Sequence, residues 1–565
     1  MDKQTQDLIQ SIYGAQPEEL VSGIEQLLGG RDLGSPSGQD LWTEKDVVLI
    51  TYADQVRSPK LSPLQAQREF LLDHRLDELL SCVHLLPFCP YTSDDGFSVV
   101  DYLAVDQASG SWSDIEDLGQ SFDLMFDLVL NHASQKSEWF QEFLAGNPAY
   151  SDFFITMDPK TDLSEVVRPR SLPLLTEFSS DTGRKHIWTT FSADQVDLNY
   201  ANPRVMLRML EILVEYARRG ARVIRLDAIA FLWKEVGTSC LHLPQTHAAV
   251  KLMRRLLDLV VPGTLLLTET NVPHAENLSY FGNGSDEAHM VYQFSLPPLI
   301  MDAVHSHDTS ILKRWLSELQ PPSNKTTFFN FTASHDGIGV RPLEGIIPEH
   351  RIQELVDVVK QRGGMVNTRR VADGVDRPYE LNLTYLSAVT GGDSEEDWKR
   401  VKRFLATQAL MLSMQGVPAV YFHSLVGSPN DYEGVRVSGQ NRRINRHKYN
   451  RAELDVALAD ANGTQRRVFD GYRRLLEIRT RQPAFHPSAS QEVIDLPTNG
   501  MIGLRRTAEN GETLLALINL TDRATVIESD LIGRGTYYDE ISEERIYKQQ
   551  PIEMSPYQVR WLTAE

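Results

Sequence analysis

Cysteine is scarce: Cys82, Cys89 and Cys240 are the only three in 565 residues. An odd number without paired spacing excludes a disulfide framework and gives no zinc pattern. No stretch approaches the run of about 18 apolar residues that a membrane helix needs. The opening residues, MDKQTQDLIQSIYG, are acidic and polar where a signal peptide would be basic and then apolar. A reduced cytoplasm is therefore the expected location. Positive charge is also in deficit, with 56 basic against 77 acidic residues and a net charge of -21. A nucleic-acid partner would require a basic face, so none is expected. A glycine-rich phosphate loop is missing, so no nucleotide is implied. What remains, 41% hydrophobic and 24% charged, is an ordinary soluble composition on a chain too long for one core.

Several apolar runs of strand length end in polar residues: DVVLITYAD (46–54), CVHLLPF (82–88), FDLMFDLVLNH (122–132), ARVIRLDAIA (221–230), GTLLLTETN (263–271), TTFFNFTASHDG (326–337) and GVPAVYF (416–422). Helical segments such as VMLRMLEILVEYARRG separate most of them. Near-continuous apolar strands alternating with helices indicate a parallel sheet, and so many units favour a closed (β/α)8 barrel. Such a barrel builds its active site at the C-terminal strand ends, where these polar residues sit. A single strand-end carboxylate could merely cap a helix, but that does not account for five such ends together. Two excursions interrupt the rhythm, a Pro-rich insertion at 133–195 and another at 337–392. After about residue 480 the pattern turns to short alternating strands, an all-β terminal domain. The expected organisation is a barrel from 1–132, 196–336 and 393–479, inserted subdomains at 133–195 and 337–392, and a β domain at 480–565.

The strand ends carry the chemistry. In ARVIRLDAIAF, Arg225 and Asp227 share one face, and an inward arginine two residues before an aspartate holds that carboxylate ionised and in place. Alone, such a pair is more often structural. LLLTETN then ends on Glu269. Two neighbouring carboxyls are what retaining glycoside chemistry requires, one to attack the anomeric carbon and one to protonate the leaving oxygen, about 5 Å apart. FTASHDG adds His335 and Asp336, and DLVLNH adds His132. No metal is needed for such chemistry, and no cluster demands one or any other cofactor.

DLVLNH, RVIRLDAIA, LLLTETN and FTASHDG, in this order and spacing, resemble the four conserved regions of the α-amylase superfamily of glycoside-active (β/α)8 barrels. QVDLN, which holds Gln195, and GVPAVYF resemble two further motifs of that superfamily. The resemblance implies Asp227 as nucleophile, Glu269 as general acid/base and Asp336 as transition-state stabiliser, with His132 and His335 on glucose hydroxyls and Arg225 positioning Asp227. LITYADQ, VRPRSLPLLTEF, LDAIAFLWKEVGTSC, SHDGIGV and QNRRINRHKY resemble the sucrose phosphorylase subfamily over nearly the whole chain. That likeness implies Asp54 and Arg442 on the terminal glucose hydroxyls, and a covalent glucosyl intermediate taken up by inorganic phosphate. It points to Arg170 and Tyr379 for phosphate. Arg168, Arg369 and Arg370 would offset the repulsion between a dianion and the two carboxylates; Arg369 and Arg370 read equally well as a solvated charge run.

Several positions depart from the sucrose-specific pattern. Tyr102 stands where a glucose-binding histidine is usual, Glu380 follows Tyr379 where those enzymes resemble YQxN, and Phe231 replaces a tyrosine. RPRSLPLLTEF is more similar to relatives acting on sucrose 6-phosphate, glucosylglycerate or glucosylglycerol. The two carboxylates are untouched, so these changes bear on the acceptor. The arginines favour an anion such as glycerate; Glu380 and the overall acidity favour a neutral polyol such as glycerol. The expected function is phosphorolysis of a small α-glucoside, with 2-O-α-glucosylglycerol or 2-O-α-glucosylglycerate foremost. The alternatives are sucrose or sucrose 6-phosphate phosphorolysis, or hydrolysis and transglucosylation. A non-catalytic barrel is disfavoured because the three carboxylates are kept. The acidic surface is compatible with monomer or homodimer.

Overall fold

The computed structural model describes residues 1–29, 40–370, 375–392, 395–496, 498–528, 535–547 and 550–564. Eight parallel strands close into a barrel: β1 (Val48–Thr51), β2 (Cys82–Leu85), β3 (Asp123–Val129), β4 (Ala221–Asp227), β5 (Leu265–Thr268), β6 (Met290–Tyr292), β7 (Thr327–Phe331) and β8 (Val417–Tyr421). Each strand pairs with its sequence neighbours, and β8 closes on β1 through Val48 opposite Ala419. Seven of these strands coincide with the apolar runs. The eighth, β6, escaped the sequence reading because its paired stretch is three residues, too short for a periodicity to register.

The unit before β4 illustrates how local sequence sets the barrel. Asn202 caps the helix Pro203–Arg218 through the amide of Arg204, and Pro203 supplies the fixed backbone of the first turn. Val205, Met206, Met209, Leu210 and Leu213 recur at helical spacing and are buried against the barrel. Gly220, at φ +95°, turns the chain directly into Ala221 of β4. Two further helices, Lys3–Tyr13 and Glu18–Gly29, lie against this outer helical ring.

The two excursions have structure of their own. Within 133–195 a hairpin pairs Leu175–Ser180 with Gly183–Trp188, and His132–Ser134 pairs with Gln195–Asp197. Within 337–392 a helix, Glu349–Gln361, precedes a hairpin of Met365–Arg370 and Asp376–Asn382, whose second strand also pairs with Ile338–Gly339. Beyond the barrel a six-stranded antiparallel sheet runs from Ser490 to the C-terminus. Its inner residues Ile502, Leu504, Ala516, Ile518 and Trp561 belong to the same apolar core as the barrel helices.

Candidate active site

Three adjacent strands build a buried polar layer at the C-terminal end of the barrel. Asp127 of β3 lies directly opposite Arg225 of β4, because side chains two apart share a face and the strands are in register. Arg225 donates through Nη1 to Asp127 and to Asp227 Oδ1, the latter at 2.8 Å. His84 of β2 bonds the other oxygen of Asp127 at 2.7 Å. Arg225 Nη2 stands 3.9 Å from Glu269 Oε2, so one guanidinium spans both strand-end carboxyls. The amide of Ala228 donates to Glu269 Oε2 at 3.0 Å. Ala228 itself is left-handed at φ +50°, a strained conformation for a residue with a Cβ, immediately after Asp227.

A small inner chamber of about 70 Å3 opens above this layer. Asp227, Glu269, Asp336, His132, His335 and Phe231 line it, together with Asp94 and Phe97 from the loop after β2. It shares Asp94, Arg170, Gln195, Tyr379 and Arg442 with an outer chamber of about 480 Å3, walled by both excursions and the 440–442 turn. His335 stacks flat on Phe97, ring centroids 4.6 Å apart. His132 Nε2 donates to the Phe97 carbonyl at 2.8 Å, and Gln195 donates to the same carbonyl at 3.0 Å.

Charge is divided unevenly. Burial raises both Asp227 and Glu269 above the ordinary carboxyl range, with neighbouring carboxyls adding to it and Arg225 opposing it. The two share one environment and titrate as a pair. Burial also raises Asp94, but Arg442, Arg446 and Arg170 outweigh it and hold that carboxylate well below the usual range. Burial, then Arg225 and Arg446, push His335 well down, so its ring is neutral. Burial lifts the Tyr379 phenol to about 12, which keeps it a hydrogen-bond donor.

Several expected contacts fall elsewhere. Asp54 does not reach the inner chamber: it faces a separate cavity of about 440 Å3 and is bound by Lys448 at 2.5 Å and Arg57 at 2.7 Å. Asp94 occupies the chamber in its place, in a turn where Asp94 and Asp95 are both left-handed, at φ +51° and +49°. Tyr102 is buried behind the chamber wall, its hydroxyl donating to the carbonyls of Val129 and His132 at 2.8 and 2.9 Å. Arg225 lies beneath the floor, 2% exposed, and holds Asp227 as expected without lining the cavity itself. Arg168 donates to the carbonyl of Leu172 and props the turn that presents Arg170. Arg369 points away to Glu344 at 2.6 Å, while Val366, Asn367 and Thr368 of the same strand border the outer chamber. The side chain of Arg370 lies outside the described residues. Glu380 borders the outer chamber, yet its four acceptor bonds all go to protein donors, so it offers nothing to an acceptor.

The reading from sequence missed Asp94, Phe97, Asp127 and Arg446. Arg446 bonds the His335 carbonyl at 2.8 Å and both turn aspartates, Asp94 at 3.3 and Asp95 at 3.0 Å. The available signal was the paired acidic residues and glycine of SDDGF just past the second strand. Among the described residues no group of three or more His, Cys, Asp or Glu is placed to hold a metal, and no helix is long and apolar enough to cross a membrane.

The family described as the catalytic domain of alpha amylase matches residues 79–343. The glucosylglycerate phosphorylase of Allomeiothermus silvanus is 47% identical, covering all of both chains, and that of Escherichia coli K12 is 45% identical, also covering all of both. The crystal structure of sucrose 6F-phosphate phosphorylase from Thermoanaerobacter thermosaccharolyticum superposes with a TM-score of 0.74 at 25% identity, covering 93% of this chain and all of the other. With its barrel, its two carboxyls on one guanidinium and these chain-long likenesses, the protein belongs to the α-amylase superfamily, in the group that holds the glucosylglycerate and sucrose phosphorylases.

Proposed function

We infer that this protein is a retaining α-glucosyl phosphorylase that converts 2-O-α-glucosylglycerate and phosphate into α-glucose 1-phosphate and glycerate. The observation that carries the chemistry is the sharing of Arg225 by Asp227 and Glu269. The direct bond from Arg225 places the negative charge of the pair on Asp227, and the shared proton rests on Glu269. An Asp227 oxygen attacks C1 of the glucosyl unit as the C1–oxygen bond to glycerate breaks, and Glu269 gives its proton to the departing oxygen. A phosphate oxygen then attacks C1, the ester to Asp227 opens, and the phosphate proton passes to Glu269. Asp336, held by Arg442 at 2.8 Å, stands across the chamber to meet the positive charge that develops at C1.

Glycerate is favoured over glycerol by the full-length likeness to two glucosylglycerate phosphorylases. Glu380 no longer argues for a neutral acceptor, because its charge is spent on Arg442. Two arginines line both chambers; Arg442 is held by Asp336 and Glu380 at 2.8 Å, whereas Arg170 stands 3.4 Å from Asp94 and is the residue placed to receive an anion. The product sugar phosphate and the three free, buried cysteines suit a reduced cytoplasm.

The test is release of glucose 1-phosphate from 2-O-α-glucosylglycerate, 2-O-α-glucosylglycerol, sucrose and sucrose 6-phosphate, with and without phosphate. Phosphate-dependent release from the glycerate compound is expected to exceed the others by about 10²-fold, the discrimination a paired charge supplies. Arg170→Ala should cripple phosphorolysis while sparing glucosyl transfer to neutral acceptors. Free glucose formed equally with and without phosphate would make the protein a hydrolase.

A further inference from the structure

Glu380 sits where three separate stretches of chain meet. Its Oε1 accepts from the amide of Gly337 at 3.1 Å and from Arg442 Nη2 at 2.8 Å; its Oε2 accepts from Asn367 Nδ2 at 2.9 Å and Arg442 Nε at 3.1 Å. Those four bonds use all four acceptor positions of the carboxylate, and the residue is 2% exposed. Gly337 follows Asp336 directly, Asn367 lies on the facing strand of the hairpin that carries Tyr379, and Arg442 belongs to the turn after the barrel. The contact is close enough that a Cβ on Gly337 would stand 2.5 Å from Cγ of Glu380.

The grip on Arg442 decides where that guanidinium points. Two parallel bonds through Nε and Nη2 fix the plane of the fork. The remaining edge then presents Nη1 to Asp336 Oδ1 at 2.8 Å and to Asp94 Oδ2 at 3.7 Å. A glutamine here, the residue of the sucrose-specific pattern, would place an amide N–H against one of the donors and lose the two-point bond.

We propose that Glu380 is a positioning residue for the glucosyl-transfer step: it locks Arg442 onto Asp336 and ties the acceptor-side hairpin to the catalytic strand end, without touching either acceptor. This rests on the phosphorylase reading above. The family pattern offers the opposite reading of this position, as part of the acceptor wall, so the two make different demands on kinetics.

The experiment uses α-glucosyl fluoride, whose C1–fluorine bond breaks as the bond to Asp227 forms and fluoride departs, so no glycerate is involved in the first step. Phosphate or glycerate is then varied as acceptor. For Glu380→Gln, fluoride release at saturating donor is expected to fall about tenfold or more, with KM for phosphate and for glycerate within about twofold of wild type. An unchanged fluoride rate with either acceptor KM raised would overturn the proposal and return Glu380 to the acceptor wall. An unchanged rate with unchanged KM values would remove its role altogether. If Glu380→Gln fails to fold by circular dichroism, Glu380→Asp, which keeps the charge but shortens the reach, is read by the same split. Wild-type enzyme that transfers no glucosyl group from the fluoride to phosphate would defeat the phosphorylase reading itself, a result distinct from any behaviour of the variant.

Discussion

Asp54 and Asp94 are a pair of acidic residues just beyond neighbouring strands, and their surroundings assign them opposite duties. Asp94 meets three guanidiniums and faces the inner chamber; Asp54 is neutralised by Lys448 and Arg57 around a different cavity. Asp94→Asn is expected to lower kcat/KM by about 10²-fold or more through lost hydroxyl contacts and a loosened arginine cluster. Asp54→Asn should leave kcat/KM within about threefold, since a partly exposed ion pair is worth little; a large loss there would restore Asp54 to the site. Asp127 belongs to stability as much as to catalysis. Burial raises its carboxyl, but Arg225 and His84 prevail and hold it at about 2 against an ordinary 3.8. A depressed carboxyl contributes stability that is fully present above about pH 4 and is lost as the pH falls toward 2, here on the order of 2 kcal/mol. Chemical denaturation should therefore show Asp127→Asn well below wild type at pH 7, with the gap narrowing toward pH 2.5. The lone arginine-aspartate pair of β4 was legible because alternation fixes its face, whereas nothing in DLVLNH marks Asp127 as the partner of Arg225.

At the level of elements, the barrel strands were readable because a strand covered on both faces is apolar throughout and stops at its functional end. β6 was not, and neither was the path of the loop after β2, whose two left-handed aspartates are held by arginines from the far end of the chain. The hairpin 365–382 shows the same limit: its register shifts between Asn367 and Thr368, so alternation along the sequence does not tell which of its residues meet the chamber. Closure of the barrel has its own pressure point. Gly416 leads into β8 at φ +129°, and an added Cβ would stand 2.5 Å from the carbonyl oxygen of Phe328. Val417 pairs with Phe329 at that place, so the backbone has no room to withdraw. Gly416→Ala is expected to destabilise by about 2 kcal/mol or more, read as a lower Tm, with any surviving enzyme keeping its KM.

Barrel and terminal sheet share one core, and that is a property of the whole molecule. Trp561 is fully buried between them and donates through Nε1 to Ser413 Oγ at 2.9 Å. Arg506 of the sheet reaches across to the carbonyls of Ser413, His486 and Ala489. The two are expected to unfold in a single calorimetric transition, and Trp561→Ala, at a cost of about 3–5 kcal/mol, should lower the one transition rather than split it in two. A separate early transition would show that the sheet melts alone. The sequence by itself determined seven of the eight barrel strands, the terminal sheet and the polar strand ends that hold Asp227, Glu269 and Asp336, because strand periodicity and burial are written into neighbouring residues. The tertiary structure alone decided that Asp94 rather than Asp54 enters the chamber, that Arg168 and Arg369 turn away from it, and that Glu380 is saturated by its own protein. The first and last of those outcomes depend on charges that meet through space from distant stretches of chain, such as Arg446 and Asp94, 352 residues apart, and no local pattern records which of them will meet.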